Sequence, residues 1–232
     1  MKRPFAFMKS KNSIIIVAGG TGSRMGANIP KQFLMLLDKP IIVWSIRAFL
    51  AFDKNIELVI VVAPEEEPRL VEILAKHLPA LNYTLAYSGT ERFHSVKNGL
   101  AKASGELIGI HDAVRPLVSP QCIADCYDAA EKYDAAIPTA PVVDSIRKIK
   151  GDNSDAVDRK DYLIVQTPQV FTSKTLKGAY DIPFSSNLTD DASVVELSGK
   201  KISLVKGNRQ NIKITTPEDM AIAKAIIEGG FI

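Results

Sequence analysis

The sequence predicts an α/β protein: a mainly parallel twisted sheet flanked by helices, with a projecting β-arm. Three observations carry this. Short apolar, β-branched runs alternate with longer amphipathic stretches, the first run is continuously apolar, as a strand buried on both faces requires, and the rhythm breaks once, between about Pro138 and Thr167. A β-α-β-α rhythm implies a parallel sheet with helices on both faces.

In chain order, Ser13 to Ala18 reads as a buried strand, Ile41 to Phe52 as a helix and Glu57 to Val62 as the next strand. Glu66 to His77 is helical, Tyr83 to Tyr87 extended, Glu91 to Ala103 helical, Glu106 to His111 extended and Ser119 to Lys132 helical. Ligands of such sheets bind at the carboxyl ends of the strands, near a switch in strand order. The loops after Ala18, Tyr87 and His111 therefore share one rim. Where the rhythm breaks, the turn cluster Gly151-Asp152-Asn153-Ser154 lies between two β-like pieces, Ser145 to Lys150 and Tyr162 to Gln166. They suggest a hairpin-like arm over 139–166, suited to dimerisation, on a single domain of 1–232. After a run at Ile202 to Val205, Thr216-Pro217-Glu218-Asp219 opens a last helix: Thr at the N-cap, Pro at the first turn, an acid at N3.

The chain has 232 residues, 46% hydrophobic and 24% charged, which excludes disorder, collagen and coiled coil. A chain of this length buries roughly 70% of its unfolded surface and needs no disulfide or metal staple. With 29 Lys+Arg against 26 Asp+Glu and the cations dispersed, a general nucleic-acid binder is not expected. No apolar run approaches the ~20 residues of a membrane helix. Residues 1–12 read as a short extension, because Phe5 to Met8 is shorter than the roughly 7 residues a signal peptide needs at least. Cys122 and Cys126, with no further Cys and no adjacent His, read as reduced thiols of a cytoplasmic protein.

The chemistry starts at residues 18–31. Four glycines (Gly19, Gly20, Gly22, Gly26) follow a buried strand, where backbone amides can nest an anion. Arg24 and Lys31 add cations where phosphates would lie. Met25 breaks both the Walker pattern and the dinucleotide fingerprint, so the loop suits a nucleoside triphosphate of another class. His111-Asp112-Ala113-Val114-Arg115-Pro116 follows a strand at the same rim, placing an acid and a base three apart.

Ala18-Gly19-Gly20-x-Gly22-x-Arg24-Met25-Gly26 with Pro30-Lys31-Gln32 resembles the loop of nucleotidyltransferases that build sugar or polyol nucleotides. Its Pro-Lys-Gln form resembles the 2-C-methyl-D-erythritol 4-phosphate cytidylyltransferase family of the non-mevalonate isoprenoid pathway. Similar blocks follow in order: Arg92-x-x-Ser95-Val96-x-x-Gly99-Leu100, His111 to Pro116, Gln166-Thr167-Pro168-Gln169, Thr189-Asp190-Asp191-Ala192 and Asn211-Ile212-Lys213-x-Thr215-x-Pro217-Glu218-Asp219. His94 stands where the family often has Asp, and Ser145 where it has Thr.

The resemblance implies a Rossmann-like nucleotidyltransferase fold, CTP and a polyol phosphate as substrates, Mg²⁺ as cofactor and a homodimer. It implies that Arg24 and Lys31 cover the triphosphate and Lys213 the α-phosphate. Ala18, Gly19, Gly20, Gly22, Gly89, Thr90 and Ser95 would line the nucleotide pocket. Asp112, Arg115, Thr167 and, from a partner's arm, Ser145 and Arg159 would serve the polyol phosphate. Asp112 is also the candidate to touch the metal, which the triphosphate would mainly hold, and His111 is expected to orient its loop. For Thr189 to Ala192, helix capping is a sufficient reason. A ribitol 5-phosphate cytidylyltransferase and a non-catalytic nucleotide-binding module remain as alternatives.

Overall fold

The structure is a computed structural model that describes residues 11–20 and 29–231. The extension at 1–10 and two expected site residues, Gly22 and Arg24, lie outside the described residues.

The main sheet has eight strands. β1 (Asn12–Ala18) lies between β4 (Glu57–Val62) and β6 (Leu107–Asp112), and β5 (Thr84–Tyr87) closes one edge, all parallel. Beyond β6 come β11 (Gln169–Thr172), antiparallel to it, and β7 (Ala135–Pro141). β7 also pairs with β10 (Leu163–Val165), antiparallel, and with β12 (Ser203–Lys206), parallel. β2 (Met35–Leu36) and β3 (Lys39–Pro40) make a small separate hairpin.

The continuous apolar run of β1 has a direct structural reason. Strand side chains alternate between faces, and here both faces are covered. Ile14 and Ile16 join Ile60, Val62 and residues of α1 (Ile41–Phe52), α2 (Glu67–His77) and α4 (Pro120–Tyr133) in one core. Ile15 joins Val59, Val61, Ile110 and residues of α3 (Arg92–Leu100), α5 (Ser173–Ala179) and α6 (Asp191–Leu197) in the other. A third, smaller cluster seats α7 (Pro217–Glu228) through Ala223 against Leu36, Ile41, Val114 and Ile214.

α1 and β4 have the bounds the sequence predicts. The break region differs. The partner of β8 (Arg147–Lys150) is β9 (Asn153–Ala156), not the piece near Tyr162 to Gln166, which supplies β10 at the main sheet. The projecting hairpin is thus 147–156, narrower than 139–166. Residues 139–141 belong to β7, whose Pro138 and Pro141 hide a strand from sequence rules. Lys213 sits in a loop whose Ile214 amide donates to the Val114 carbonyl at 2.9 Å.

Candidate active site

The loops after β1, β5 and β6 meet at the carboxyl ends of the parallel strands around a cleft of about 390 Å³. Its walls include Ala18, Gly19, Gly20, Lys31, Gly89, Thr90, Ser95, Asp112 and Lys213, all expected from sequence. They also include Gln32 and Arg92, for which the sequence suggested no role.

Each wall is held by identifiable contacts. Gln32, buried in the short turn after Pro30, donates its amide to the Ala18 carbonyl at 2.6 Å and the Gly20 carbonyl at 3.0 Å. It fixes the strand end from which the glycine loop departs. A Cβ on Gly19 would come within 2.3 Å of the Ser88 Cβ, so the loop passes β5 only as glycine. On the opposite wall, the Gly89 amide donates to the Ser95 hydroxyl at 3.0 Å, and that hydroxyl donates to the Glu91 carbonyl at 3.1 Å. A Cβ on Gly89 would meet the His94 Cβ at 2.3 Å. His94 itself shares a 3.1 Å hydrogen bond with the Thr90 hydroxyl.

The floor carries the charge. Asp112 ends β6 with its carboxylate facing three cations: Lys213 Nζ at 3.0 Å, Arg115 Nε at 3.3 Å and Arg92 Nε at 3.6 Å. Burial alone would raise the Asp112 pKa, but Arg92, then Lys213 and Arg115, hold it well below the usual carboxylate range. It stays ionised at any physiological pH. Arg115 also donates to the Asn211 carbonyl at 2.9 Å, tying the β6 loop to the segment that carries Lys213. Arg92 in turn is gripped from behind: Nη1 and Nη2 donate to the two oxygens of Asp191 at 2.9 and 2.7 Å. Asp190 performs the capping expected of the turn, accepting from the Ser193 amide at 2.9 Å, whereas Asp191 is fully buried in an ion pair.

Below the floor, His111 is enclosed against Phe49, with ring centroids 4.9 Å apart. Burial, the largest cause, drives its pKa down to about 4, so the ring is neutral at neutral pH. Nε2 lies 3.0 Å from the Arg115 carbonyl and must donate there, leaving Nδ1 to accept from the Thr167 hydroxyl at 2.9 Å. Thr167 accepts in turn from the Asp112 amide at 3.2 Å. Both partners of this hydroxyl are internal, and Thr167 is buried. His111 and Thr167 together set the position of the Asp112 backbone. Ser145 and Arg159 are exposed and take no part in the walls of the cleft of their own chain. Arg159 donates instead to the Val143 carbonyl.

A family model described as 2-C-methyl-D-erythritol 4-phosphate cytidylyltransferase matches residues 13–229. The chain belongs to this family. The cytidylyltransferase of Phocaeicola vulgatus is 47% identical over 92% of this chain and 98% of its own, and that of Bacteroides thetaiotaomicron 44% identical over 94% and 100%. Among solved structures, the cytidylyltransferase of Thermus thermophilus superposes with a TM-score of 0.77 at 29% identity, covering 94% of this chain and 100% of that one. The 4-diphosphocytidyl-2C-methyl-D-erythritol synthase of Anaerococcus prevotii gives 0.80 at 28%, covering 93% and 95%. The fold is thus the Rossmann-like nucleotidyltransferase fold of the cytidylyltransferase family, with a mainly parallel sheet between helical layers.

Proposed function

We propose that this chain transfers the cytidylyl group of CTP to 2-C-methyl-D-erythritol 4-phosphate, giving 4-diphosphocytidyl-2-C-methyl-D-erythritol and pyrophosphate. The observation that carries the reading is the convergence of Arg92, Arg115 and Lys213 on Asp112 beside the glycine loop, in a chain of this family. The ribitol 5-phosphate alternative is not favoured by the family match.

An oxygen of the substrate phosphate attacks the α-phosphorus of CTP in line. The bond to the α–β bridging oxygen breaks, and its electron pair leaves with pyrophosphate. The attacking oxygen is already anionic at neutral pH, so no Ser, Cys or His nucleophile and no general base is required. The neutral His111, with both ring nitrogens engaged, serves as a brace. Catalysis rests on alignment and on fixed positive charge where negative charge accumulates. Lys213 covers the α-phosphate, Lys31 and Arg24 the leaving pyrophosphate, and Arg115 the incoming phosphate. Asp112 keeps Lys213 and Arg115 collected before substrate arrives, so little reorganisation of these two is needed at the reaction step.

The donor set fits a magnesium ion that arrives with the nucleotide. Mg²⁺ characteristically takes one or two carboxylates and fills its shell with substrate phosphates and water. Asp112 is a carboxylate on the cleft floor that could join it, and among the described residues no group of three His, Cys, Asp or Glu forms a metal cage. When bound, the ion neutralises triphosphate charge.

The reading includes a homodimer in which Ser145 and Arg159 complete the partner's site. Its support is an apolar strip beside the hairpin: Leu163, Ile164 and Val165 of β10 are all exposed, next to exposed Tyr162 and Val143. A cytoplasmic setting fits the two buried free thiols, Cys122 and Cys126.

A pyrophosphate-release assay over four nucleoside triphosphates and two polyol phosphates tests the function. CTP with the methylerythritol phosphate is expected to exceed every other pair by at least about tenfold in kcat/KM; equal turnover with ribitol 5-phosphate would reverse the substrate assignment. Arg159→Ala is expected to raise the Michaelis constant for the polyol phosphate about tenfold, as loss of a charge-assisted contact does. An unchanged constant would remove the arm from the site.

A further inference from the structure

Asp191 opens α6 and is completely buried. Its two oxygens are taken by three donors: Oδ1 accepts from Arg92 Nη1 at 2.9 Å and from the Tyr180 hydroxyl at 2.6 Å, and Oδ2 accepts from Arg92 Nη2 at 2.7 Å. Tyr180 is itself buried and stacked on Phe93, with centroids 4.7 Å apart, so the donor that fixes the carboxylate is rigid. Arg92 opens α3. A cation at a helix N-terminus meets the positive end of the helix dipole, which disfavours it. Nor is a buried ion pair a strong source of stability, since apolar residues of the same volume often serve as well. Stability alone therefore gives this pair little reason to exist.

Its geometric effect is specific. With Nη1 and Nη2 held at the rear by Asp191, the Nε edge of Arg92 faces the cleft, 3.6 Å from Asp112 Oδ1. That distance is ionic contact and exceeds a hydrogen bond. Arg92 lines the same cleft as Gly89, Ser95 and Asp112, and Nε is the guanidinium nitrogen that Asp191 does not engage.

We propose that Asp191 is a positioning residue for nucleotide binding: by clamping the rear of the Arg92 guanidinium, and being clamped by Tyr180, it presents the Nε edge to an oxygen of the bound nucleotide. The proposal rests on the reading that CTP occupies this cleft. Wild-type turnover of CTP reports on that reading alone, whereas ratios between variants report on Asp191.

The test combines Asp191→Asn, Arg92→Met and the double variant, measuring kcat and both Michaelis constants together with thermal midpoints. Asp191→Asn keeps the shape and removes the charge. It is expected to raise KM for CTP about tenfold, while kcat stays within about threefold and KM for the polyol phosphate within about twofold. In the Arg92→Met background the same change is expected to add less than about twofold, because residues acting through one another are not additive. A folded Asp191→Asn with unchanged KM for CTP, or a full tenfold addition on Arg92→Met, would overturn the proposal. If Asp191→Asn does not fold, Tyr180→Phe decides. It keeps both charges and removes one hydrogen bond, and an approximately threefold rise in KM for CTP supports the proposal. A lowered midpoint with unchanged KM makes the cluster purely structural and overturns it.

Discussion

Asp112 and Glu57 sit at opposite ends of the same parallel strands, and each gathers the chain around a carboxylate. At the amino ends, Glu57 accepts from the Ser13 hydroxyl, from the Ser104 amide and hydroxyl at 2.6 and 2.7 Å, and from the Gly105 amide at 3.2 Å. At the carboxyl ends, Asp112 is surrounded by Lys213, Arg115 and Arg92. Burial works against ionisation in both, and both end with lowered pKa values, but for different reasons: neutral hydrogen-bond donors at Glu57, charges at Asp112. Neutral donors satisfy one carboxylate and are then spent. Cations retain their attraction for further anions. The first arrangement is a staple, the second a landing place.

Removing each carboxylate is the sharpest way to break that contrast. Asp112→Asn is expected to destabilise the fold by about 4 kcal/mol, because three partly buried cations lose their counter-ion. It should also abolish most turnover; denaturant melts and the pyrophosphate assay read the two effects. Retention of both would show that the cations do not depend on Asp112.

Acid sharpens the contrast from below. His111, the brace of the charged floor, has its pKa brought by burial from an ordinary 6.5 to about 4. Between those values the unfolded chain binds the proton that the folded chain refuses. Stability is therefore full above pH 6.5 and falls as the pH drops towards 4, by about 3 kcal/mol in total. Urea midpoints across this range should fall further for the wild type than for His111→Gln. Parallel curves would free His111 of that role.

Lys213→Ala removes one cation from the landing place and leaves the other two. A loss of about 2 kcal/mol in transition-state stabilisation, or roughly thirtyfold in kcat/KM, is expected. Folding stability should move by less than about 0.5 kcal/mol, since the side chain is half-exposed. Wild-type activity would sink its assignment. Glu57→Gln should give the inverse pattern, about 1 to 2 kcal/mol of stability lost as amide hydrogens face donors, with kcat/KM within about twofold. A large activity loss would mean the two poles are coupled.

What could be read from the sequence follows from the range of the signals. α1 and β4 are legible to the residue because apolar patterning and flanking turn residues act within one element. The cleft was legible as loops, since each glycine or charged motif is contiguous and strand polarity puts all of them on one rim. β7 was not, because Ala135-Ala136-Ile137-Pro138-Thr139-Ala140-Pro141 lacks the bulk and the amides a strand normally shows, yet it pairs with three neighbours. The place of Lys213 was not legible either, because it is set at long range: Ile214 is buried under α7 and its amide reaches across to the Val114 carbonyl. Arg92 and Asp191 had no common signal at all. They lie 99 positions apart, and capping explained Asp191 fully until its buried side chain was seen.

The loop bearing Lys213 has a consequence for the chain in time. It follows β12 and is fastened by side-chain amides: Asn211 donates to the Thr167 carbonyl at 2.8 Å, and Asn208 to the Leu117 carbonyl at 2.9 Å. Both acceptors belong to segments that leave the ribosome earlier. A nascent or clipped chain that stops short of this loop already holds every strand of the sheet but lacks the last cation and the two amide fasteners. Such a fragment also lacks Ile214 and α7, and with them the cluster that seats the loop against Leu36, Ile41 and Val114.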